Sequence, residues 1–190
     1  MDERIDPNLP PETRQDFQDF LNGLDELMAS NPHHATNADS TPSPGESTRV
    51  FDKGKWHAGG EYPEDLEPER GSTHIAMYLA WAVENNHIAP AFANDDIIAQ
   101  FRNRQASLLE LIEWFDDVLA SDLLTPEAAS FSDRYYDGEQ EPLYFSDYSN
   151  LLTADLPTIY HVQPTIENYE RIKPVIQQRF EAWKHNNNTL

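Results

Sequence analysis

The stretch STHIAMYLAWAVENN, residues 72–86, is the densest apolar stretch of the chain. Apolar side chains at helical spacing form one face of a predicted helix, and two more form a second face, so the helix is apolar on nearly all sides. Such a helix belongs in the middle of a packed domain, and Ser72 or Thr73 can cap its start. The first face comprises Ile75, Tyr78, Leu79, Ala82 and Val83, and the second comprises Met77 and Trp81.

Other segments with helical periodicity surround this one. Residues 49–63 mix aromatic residues with glycines and predict an irregular or hairpin-like lead-in. We therefore expect a mainly α fold, a compact multi-helix domain at residues 49–187 with at most one small β-hairpin. The further predicted helices are a short one at 94–104, a longer one from Leu108 to Val118, one that begins at Thr125 and Pro126, and a C-terminal one at 164–183 that Pro174 bends or divides.

The N-terminal part of the chain predicts an appendage to this domain. Residues 1–30 place apolar side chains on one face of an amphipathic helix, and residues 31–48 contain three prolines, one glycine and no large apolar side chain. The second segment is typical of a flexible linker. Because an isolated helix is marginally stable in water, we expect the first to dock on its own domain, a second copy or a partner.

The charge and the cysteine content exclude several function classes. The chain has 34 acidic and 13 basic residues, a formal net charge of -21, so we expect no direct contact with nucleic acid or anionic lipid. The absence of cysteine excludes disulfides, thiolate nucleophiles and sulfur-ligated zinc. No stretch approaches the roughly 20 apolar residues of a membrane span. With no export signal at the N-terminus, the expected location is the cytoplasm.

The acidic residues concentrate in two segments that contain proline or glycine, EYPEDLEPE at 61–69 and DGEQE at 137–141. These segments predict exposed loops. Their carboxylates have few basic neighbours in sequence, which favours a surface that attracts a basic protein. The candidate partner-binding residues are Glu61, Asp65, Glu67, Asp137, Glu139, Glu141 and Asp147.

The histidines are the candidates for chemistry, because familiar catalytic and phosphate-binding motifs are absent. His74 either bonds to loop carbonyls or acids at the head of its helix, or serves as a catalytic residue beside Asp65 or Glu69. No spacing supports the second role, so the sequence favours the structural one. His161 lies between apolar residues and predicts a core histidine. We assign no catalytic residue, metal ligand or cofactor.

Four segments of the chain carry a family resemblance. KWHAGGEYPEDLEPERGSTHIAMYLAWAVENNHI at 55–88, with the later YFSDYSNLL, DLPTIYHV and ENYERIKPVIQQRFEAW, resembles a family of small, uncharacterised bacterial domains. The shared features are a Trp-His/Tyr-x-Gly-Gly lead-in, a Thr-His-Ile-Gly-x-Tyr/Phe-Leu-Ala-Trp helix and a Glu-Asn-Tyr segment, over about residues 50–185. Ala76 stands where that family usually has glycine. In size, acidity and gene setting the family resembles immunity proteins of bacterial toxin systems.

Three functions remain open on the sequence. The resemblance and the acidity favour an immunity protein that binds a cognate toxin of the cytoplasm, such as a basic nuclease, and has no catalytic turnover. The alternatives are an enzyme with a His/carboxylate site around His57 and His74, and an inhibitor whose carboxylates mimic nucleic-acid phosphates. A deep pocket joining the histidines to Glu61 or Asp65 would favour the enzyme, whereas an exposed acidic and aromatic surface would favour the inhibitor. The oligomeric state is left open.

Overall fold

The structure, a computed structural model, describes residues 48–59, 62–138 and 143–187. The predicted N-terminal helix and all but the last residue of the predicted linker lie outside these residues. Within the described part of the chain, no helix is long and apolar enough to cross a membrane.

The described residues form seven α-helices and one two-stranded antiparallel sheet, which confirms the mainly α fold. Three short 3-10 turns lie at Pro68–Ser72, Ser121–Leu123 and Ile159–His161. The strands are β1 (Val50–Lys53) and β2 (Val118–Ala120), and the helices are α1 (Gly54–His57), α2 (Thr73–Glu84), α3 (Asp96–Arg102), α4 (Leu108–Trp114), α5 (Pro126–Tyr135), α6 (Leu143–Leu152) and α7 (Ile166–Asn187).

Helix α2 is the centre of the domain. Every residue from Ile75 to Val83 is fully buried, and α2 packs against α3, α4 and α7. Trp81 is enclosed by aromatic rings, and its indole Nε1 donates a hydrogen bond to Oε1 of Gln177 at 2.9 Å. The apolar pattern around the whole circumference of this helix therefore predicted its position correctly.

The helices predicted to begin after Ser72, at Leu108 and at Pro126 begin there, those predicted from 94 and 164 begin two residues later, and only some of the predicted caps form. The Thr125 hydroxyl accepts a hydrogen bond from the Ala128 amide at the start of α5, with Pro126 as the first helical residue. Ser72 occupies the N-cap position of α2 without a side-chain cap hydrogen bond. The chain enters α2 from a 3-10 turn, and the helical backbone of Ser72 lacks the extended conformation from which a capping side chain reaches back.

Helix α4 is shorter than its apolar pattern predicted. It ends at Trp114, and Val118 belongs to β2, where it pairs with Lys53 of β1. Asp116 and Asp117 adopt left-handed backbone conformations with φ of 55° and 56°, which reverse the chain before the strand begins. The small sheet therefore joins two segments that are distant in sequence, rather than the two arms of a local hairpin at residues 49–63.

Helix α7 runs without a break from Ile166 to Asn187 with Pro174 inside it. A proline in a helix removes one backbone hydrogen bond. The buried face of α7 includes Tyr169, Ile172, Ile176 and Phe180. Apolar burial along this face accounts for a single helix rather than two.

Candidate functional site

Two of the histidines meet one aspartate in the interior of the domain. Asp52 lies on β1, His57 ends α1, and His74 is the second residue of α2. Nε2 of His57 lies 2.7 Å from Oδ1 of Asp52, and Nε2 of His74 lies 3.0 Å from Oδ2. The imidazole rings are 4.5 Å apart between centroids and nearly perpendicular, at 84°. We call Asp52, His57 and His74 the buried triad.

Two local features of the chain bring the triad together. The register between β1 and β2 shifts between Val50 and Asp52, and as in a β-bulge this irregularity allows both Phe51 and Asp52 to point inward. Gly54 then allows α1 to approach the 3-10 turn before α2, since a Cβ atom at Gly54 would lie 2.1 Å from Oγ of Ser72. A side chain at residue 54 would therefore require Ser72, at the start of α2, to move.

Further donors complete the hydrogen bonding of Asp52. The Lys53 amide donates to Oδ1 at 2.7 Å, and the Tyr136 hydroxyl donates to Oδ2 at 2.6 Å. With the two histidines, each carboxylate oxygen has two partners. On the outer side of His57, Nδ1 lies 3.2 Å from the Tyr160 hydroxyl.

The electrostatics of the triad favour an ionised carboxylate. Burial by itself would raise the pKa of Asp52, but the adjacent His57 and the hydrogen bonds from both histidines lower it well below its usual range. Burial and the neighbouring His57 lower the pKa of His74, and its hydrogen bond with Asp52 opposes this shift only in part. At neutral pH, Asp52 is therefore an anion and His74 is uncharged, with its Nε2–H directed at the carboxylate.

The triad is closed to solvent. The side chains of Asp52, His57 and His74 are 5, 1 and 2% exposed. The acid beside His74 is Asp52 and not Asp65 or Glu69, the two residues considered from the sequence. Asp52 was missed because it is remote from His74 along the chain. This arrangement can stabilise the fold or hold a metal ion, but a substrate cannot reach it in this conformation.

His161 does not belong to the triad. Its Nδ1 lies 2.9 Å from Oγ1 of Thr158, and its Nε2 lies 3.8 Å from Oδ2 of Asp65. The His161 side chain is 19% exposed, so it is a partly buried residue with polar partners rather than a fully enclosed core histidine.

The candidate partner-binding residues divide into three groups. Asp65 and Glu67 are exposed, as their loop composition predicted. Asp137 forms an ion pair with Arg49 at 2.6 Å, and Oδ1 and Oδ2 of Asp147 each lie 2.9 Å from a nitrogen of Arg179. The Tyr135 hydroxyl also donates to Asp147, whose side chain is only 14% exposed. The remaining three, Glu61, Glu139 and Glu141, lie outside the described residues.

A second acidic surface surrounds the most exposed large apolar side chain of the described residues, Trp114, which is 57% exposed. Its indole Nε1 donates a hydrogen bond to Oδ2 of Asp95 at 3.1 Å. Glu110 lies one helical turn earlier, Glu113 is adjacent, and Asp116 follows in the turn; all three are exposed. We call Trp114 and these four acids the acidic tryptophan surface.

Within the described part of the chain, no lysine or arginine forms an ion pair with the acids of this surface. Helical spacing in the sequence separates Glu110, Glu113 and Asp116 from the apolar positions of the helix predicted from Leu108 to Val118. A tryptophan next to those acids was the available signal for this surface. The predicted partner-binding residues came mainly from acidic loop segments and therefore did not include it.

Comparison with known proteins gives one family match. Residues 50–162 match the sequence model of a family described as a domain of unknown function, DUF7832. No curated protein and no solved structure matches the chain.

Proposed function

The chain belongs to the DUF7832 family, and we propose that it is an immunity protein, a stoichiometric inhibitor that binds a basic cognate toxin in the bacterial cytoplasm. The single observation that carries this proposal is the acidic tryptophan surface. Tryptophan is among the residues that contribute most to the free energy of protein–protein binding, because it buries a large apolar ring in the interface.

The composition of the surface favours a basic partner. A lysine or arginine side chain that stacks on the Trp114 indole gains a cation–π interaction, and the neighbouring carboxylates attract further basic residues. Acidic charge also raises the association rate with a basic protein, which matters for an inhibitor that must bind a toxin before the toxin reaches its target. The net charge of -21 acts in the same direction over a longer distance.

The exposed acids Asp65 and Glu67 can extend the binding surface. The 3-10 turn Pro68–Ser72, which follows them directly, contacts α4, the helix that carries Trp114. Asp137 and Asp147 contribute less, because arginine side chains already neutralise them within the domain. The proposed interface therefore centres on α4, with the loop at residues 62–67 beside it.

The burial of the triad speaks against the alternative of an enzyme with His57 and His74 as catalytic groups. General acid–base catalysis requires the catalytic atom to lie within hydrogen-bonding reach of the substrate. The imidazole nitrogens face Asp52 and Tyr160 inside the domain. Among the described residues, the side chains of Asp52, His57 and His74 are at most 5% exposed, so a substrate would need a change of conformation to reach them.

The test compares two triple variants of equal net charge. The first neutralises the proposed interface, with Glu110→Gln, Glu113→Gln and Asp116→Asn. The second neutralises exposed acids elsewhere on the chain, with Asp155→Asn, Glu167→Gln and Glu181→Gln. Each is mixed in a stopped-flow instrument with the purified product of the gene adjacent to this one, at low and high salt.

We expect the interface variant to associate about tenfold more slowly than wild type at low salt, and the control variant to associate at nearly the wild-type rate. Trp114→Ala should raise Kd by at least about tenfold, mainly through faster dissociation, while the melting temperature stays unchanged. Equal slowing by both triple variants would show that only net charge matters and would refute the proposed interface. If wild type does not bind the adjacent gene product, the immunity function is wrong.

A further inference from the structure

The buried triad presents three potential metal ligands at one point. The ligand atoms of Asp52, His57 and His74 all lie within 4.8 Å of one another, and all three residues are buried. We propose that these residues bind one divalent transition-metal ion of the zinc class, through the carboxylate of Asp52 and Nε2 of each histidine. This inference concerns the interior of the domain and is independent of the acidic tryptophan surface.

The donor set selects the class of metal. Two imidazole nitrogens and one carboxylate oxygen suit zinc and its first-row neighbours, whereas calcium and magnesium prefer sites built from oxygen atoms. Histidines with one carboxylate form a common zinc ligand set with three protein ligands. A set without sulfur also agrees with the absence of cysteine from the chain.

The distances between the imidazole Nε2 atoms and the Asp52 carboxylate allow a metal ion to replace the protons that lie between them. Zinc lies about 2.0–2.2 Å from nitrogen and oxygen ligands, so two ligands of a tetrahedral ion are roughly 3.4 Å apart. The corresponding nitrogen-to-oxygen distances in the triad are 2.7 and 3.0 Å, with a proton between each pair. Side-chain movements of less than about 1 Å would therefore make room for the ion. On metal binding, Nε2 of each imidazole gives up its proton and donates its lone pair to the metal.

Groups outside the triad support two of the three ligands, His57 and Asp52, as in known metal sites. Ligating histidines usually donate their other ring N–H to a partner, and ligating carboxylates are themselves hydrogen-bonded. Nδ1 of His57 faces the Tyr160 hydroxyl at 3.2 Å. The Tyr136 hydroxyl and the Lys53 amide hold the Asp52 carboxylate at 2.6 and 2.7 Å. These contacts fix the ligand orientations from three other directions.

The position of the triad assigns the ion a structural role. The three ligands come from β1, α1 and α2, so one ion would join the small sheet to the central helix. A divalent cation would also compensate the buried charge of Asp52. Because the site is closed, we expect the ion to enter during folding and to exchange slowly afterwards.

The test uses the full-length chain without an affinity tag. The chain is unfolded in urea with a chelator, refolded with excess zinc sulfate or cobalt chloride, and freed of unbound metal by gel filtration. Metal content is then measured by mass spectrometry, and the cobalt form by its visible absorption. We expect one zinc ion per chain, and at free zinc about 100-fold above Kd we expect Tm to rise by about 5–10 °C.

Matched variants locate the ion. His57→Ala and His74→Ala should each lose the bound zinc and the rise in Tm, whereas His161→Ala should keep both. The double variant His33→Ala/His34→Ala should also keep both, which separates the triad from the histidine pair of residues 33 and 34. If His57→Ala does not refold, His57→Gln retains a polar side chain and takes its place.

Two outcomes would overturn the metal site. One is a wild-type chain that retains only substoichiometric zinc after refolding, with the same Tm as in chelator; the triad would then be a hydrogen-bonded network alone. The other is stoichiometric zinc in wild type that disappears in His33→Ala/His34→Ala but persists in His57→Ala. Both readouts use the isolated chain, so they fail or succeed independently of any toxin binding.

Discussion

Replacement of Asp52 is the most informative single change in this protein. Asp52→Ala leaves three buried donors and one partly buried donor without their acceptor: both imidazole Nε2 groups of the triad, the Tyr136 hydroxyl and the Lys53 amide. A buried donor that loses its partner costs about 1–3 kcal/mol, and the two histidines can reduce this cost by moving a proton to Nδ1. At about 1 kcal/mol for each donor, the free energy of unfolding should fall by about 4 kcal/mol.

Asp52→Asn tests whether the acceptors or the charge matter more. The amide oxygen can still accept from the Lys53 amide, which cannot reorient, while the NH2 group faces His74 and the Tyr136 hydroxyl. Both of those groups can change from donor to acceptor, one by a shift of tautomer and the other by rotation. We therefore expect Asp52→Asn to cost about 1–2 kcal/mol, clearly less than Asp52→Ala.

Urea denaturation in the presence of a chelator provides the measurement, because it excludes any contribution from bound metal. Unfolding is followed by tryptophan fluorescence and far-UV circular dichroism, and the free energies are compared at equal m-values. Asp155→Ala, at an exposed position, is the control and should stay within about 0.5 kcal/mol of wild type. A cost for Asp52→Ala no greater than that of Asp155→Ala would refute this account of the network. Equal costs for Asp52→Ala and Asp52→Asn would assign the effect to charge instead.

Two further predictions concern other parts of the core. Gly54→Ala places a methyl group 2.1 Å from Oγ of Ser72 and should lower the free energy of unfolding by about 1–3 kcal/mol. Adding Ser72→Ala should restore part of this loss, as measured by thermal unfolding. If Ser72→Ala restores nothing, the steric explanation is refuted. Burial would raise the pKa of Glu84, but hydrogen bonds from Lys173, Arg104 and Tyr169 lower it overall. The stabilising effect of the ionised Glu84 carboxylate is therefore complete above the pKa of the unfolded chain, about 4.3, and is lost as the pH falls through the lower pKa of the folded protein. The difference in free energy of unfolding between wild type and Glu84→Gln should therefore shrink from pH 7 to pH 3.

Local patterns were sufficient to predict the central helix and several of the helices around it. The continuous apolar surface at residues 75–83 has a low free energy only in the interior, so the sequence alone identified the central helix. Thr125 and Pro126 marked a helix start for an equally local reason, since the cap and the fixed φ act within one turn. The acidic character of the surface also followed from composition, because charged side chains rarely occupy a core.

Tertiary contacts decided the rest. The end of α4 could not be predicted because Val118 continues the apolar pattern of the helix, and only its pairing with Lys53 across the domain favours a strand. Composition likewise did not distinguish Asp147, which arginine neutralises, from Glu113, which has no such partner among the described residues. The triad is the strongest example, since a bulge at Asp52 and a close approach at Gly54 bring together an aspartate and a histidine that are 22 positions apart. Sequence periodicity records which face of a segment is buried, whereas the position of one buried polar group beside another depends on how separate segments pack.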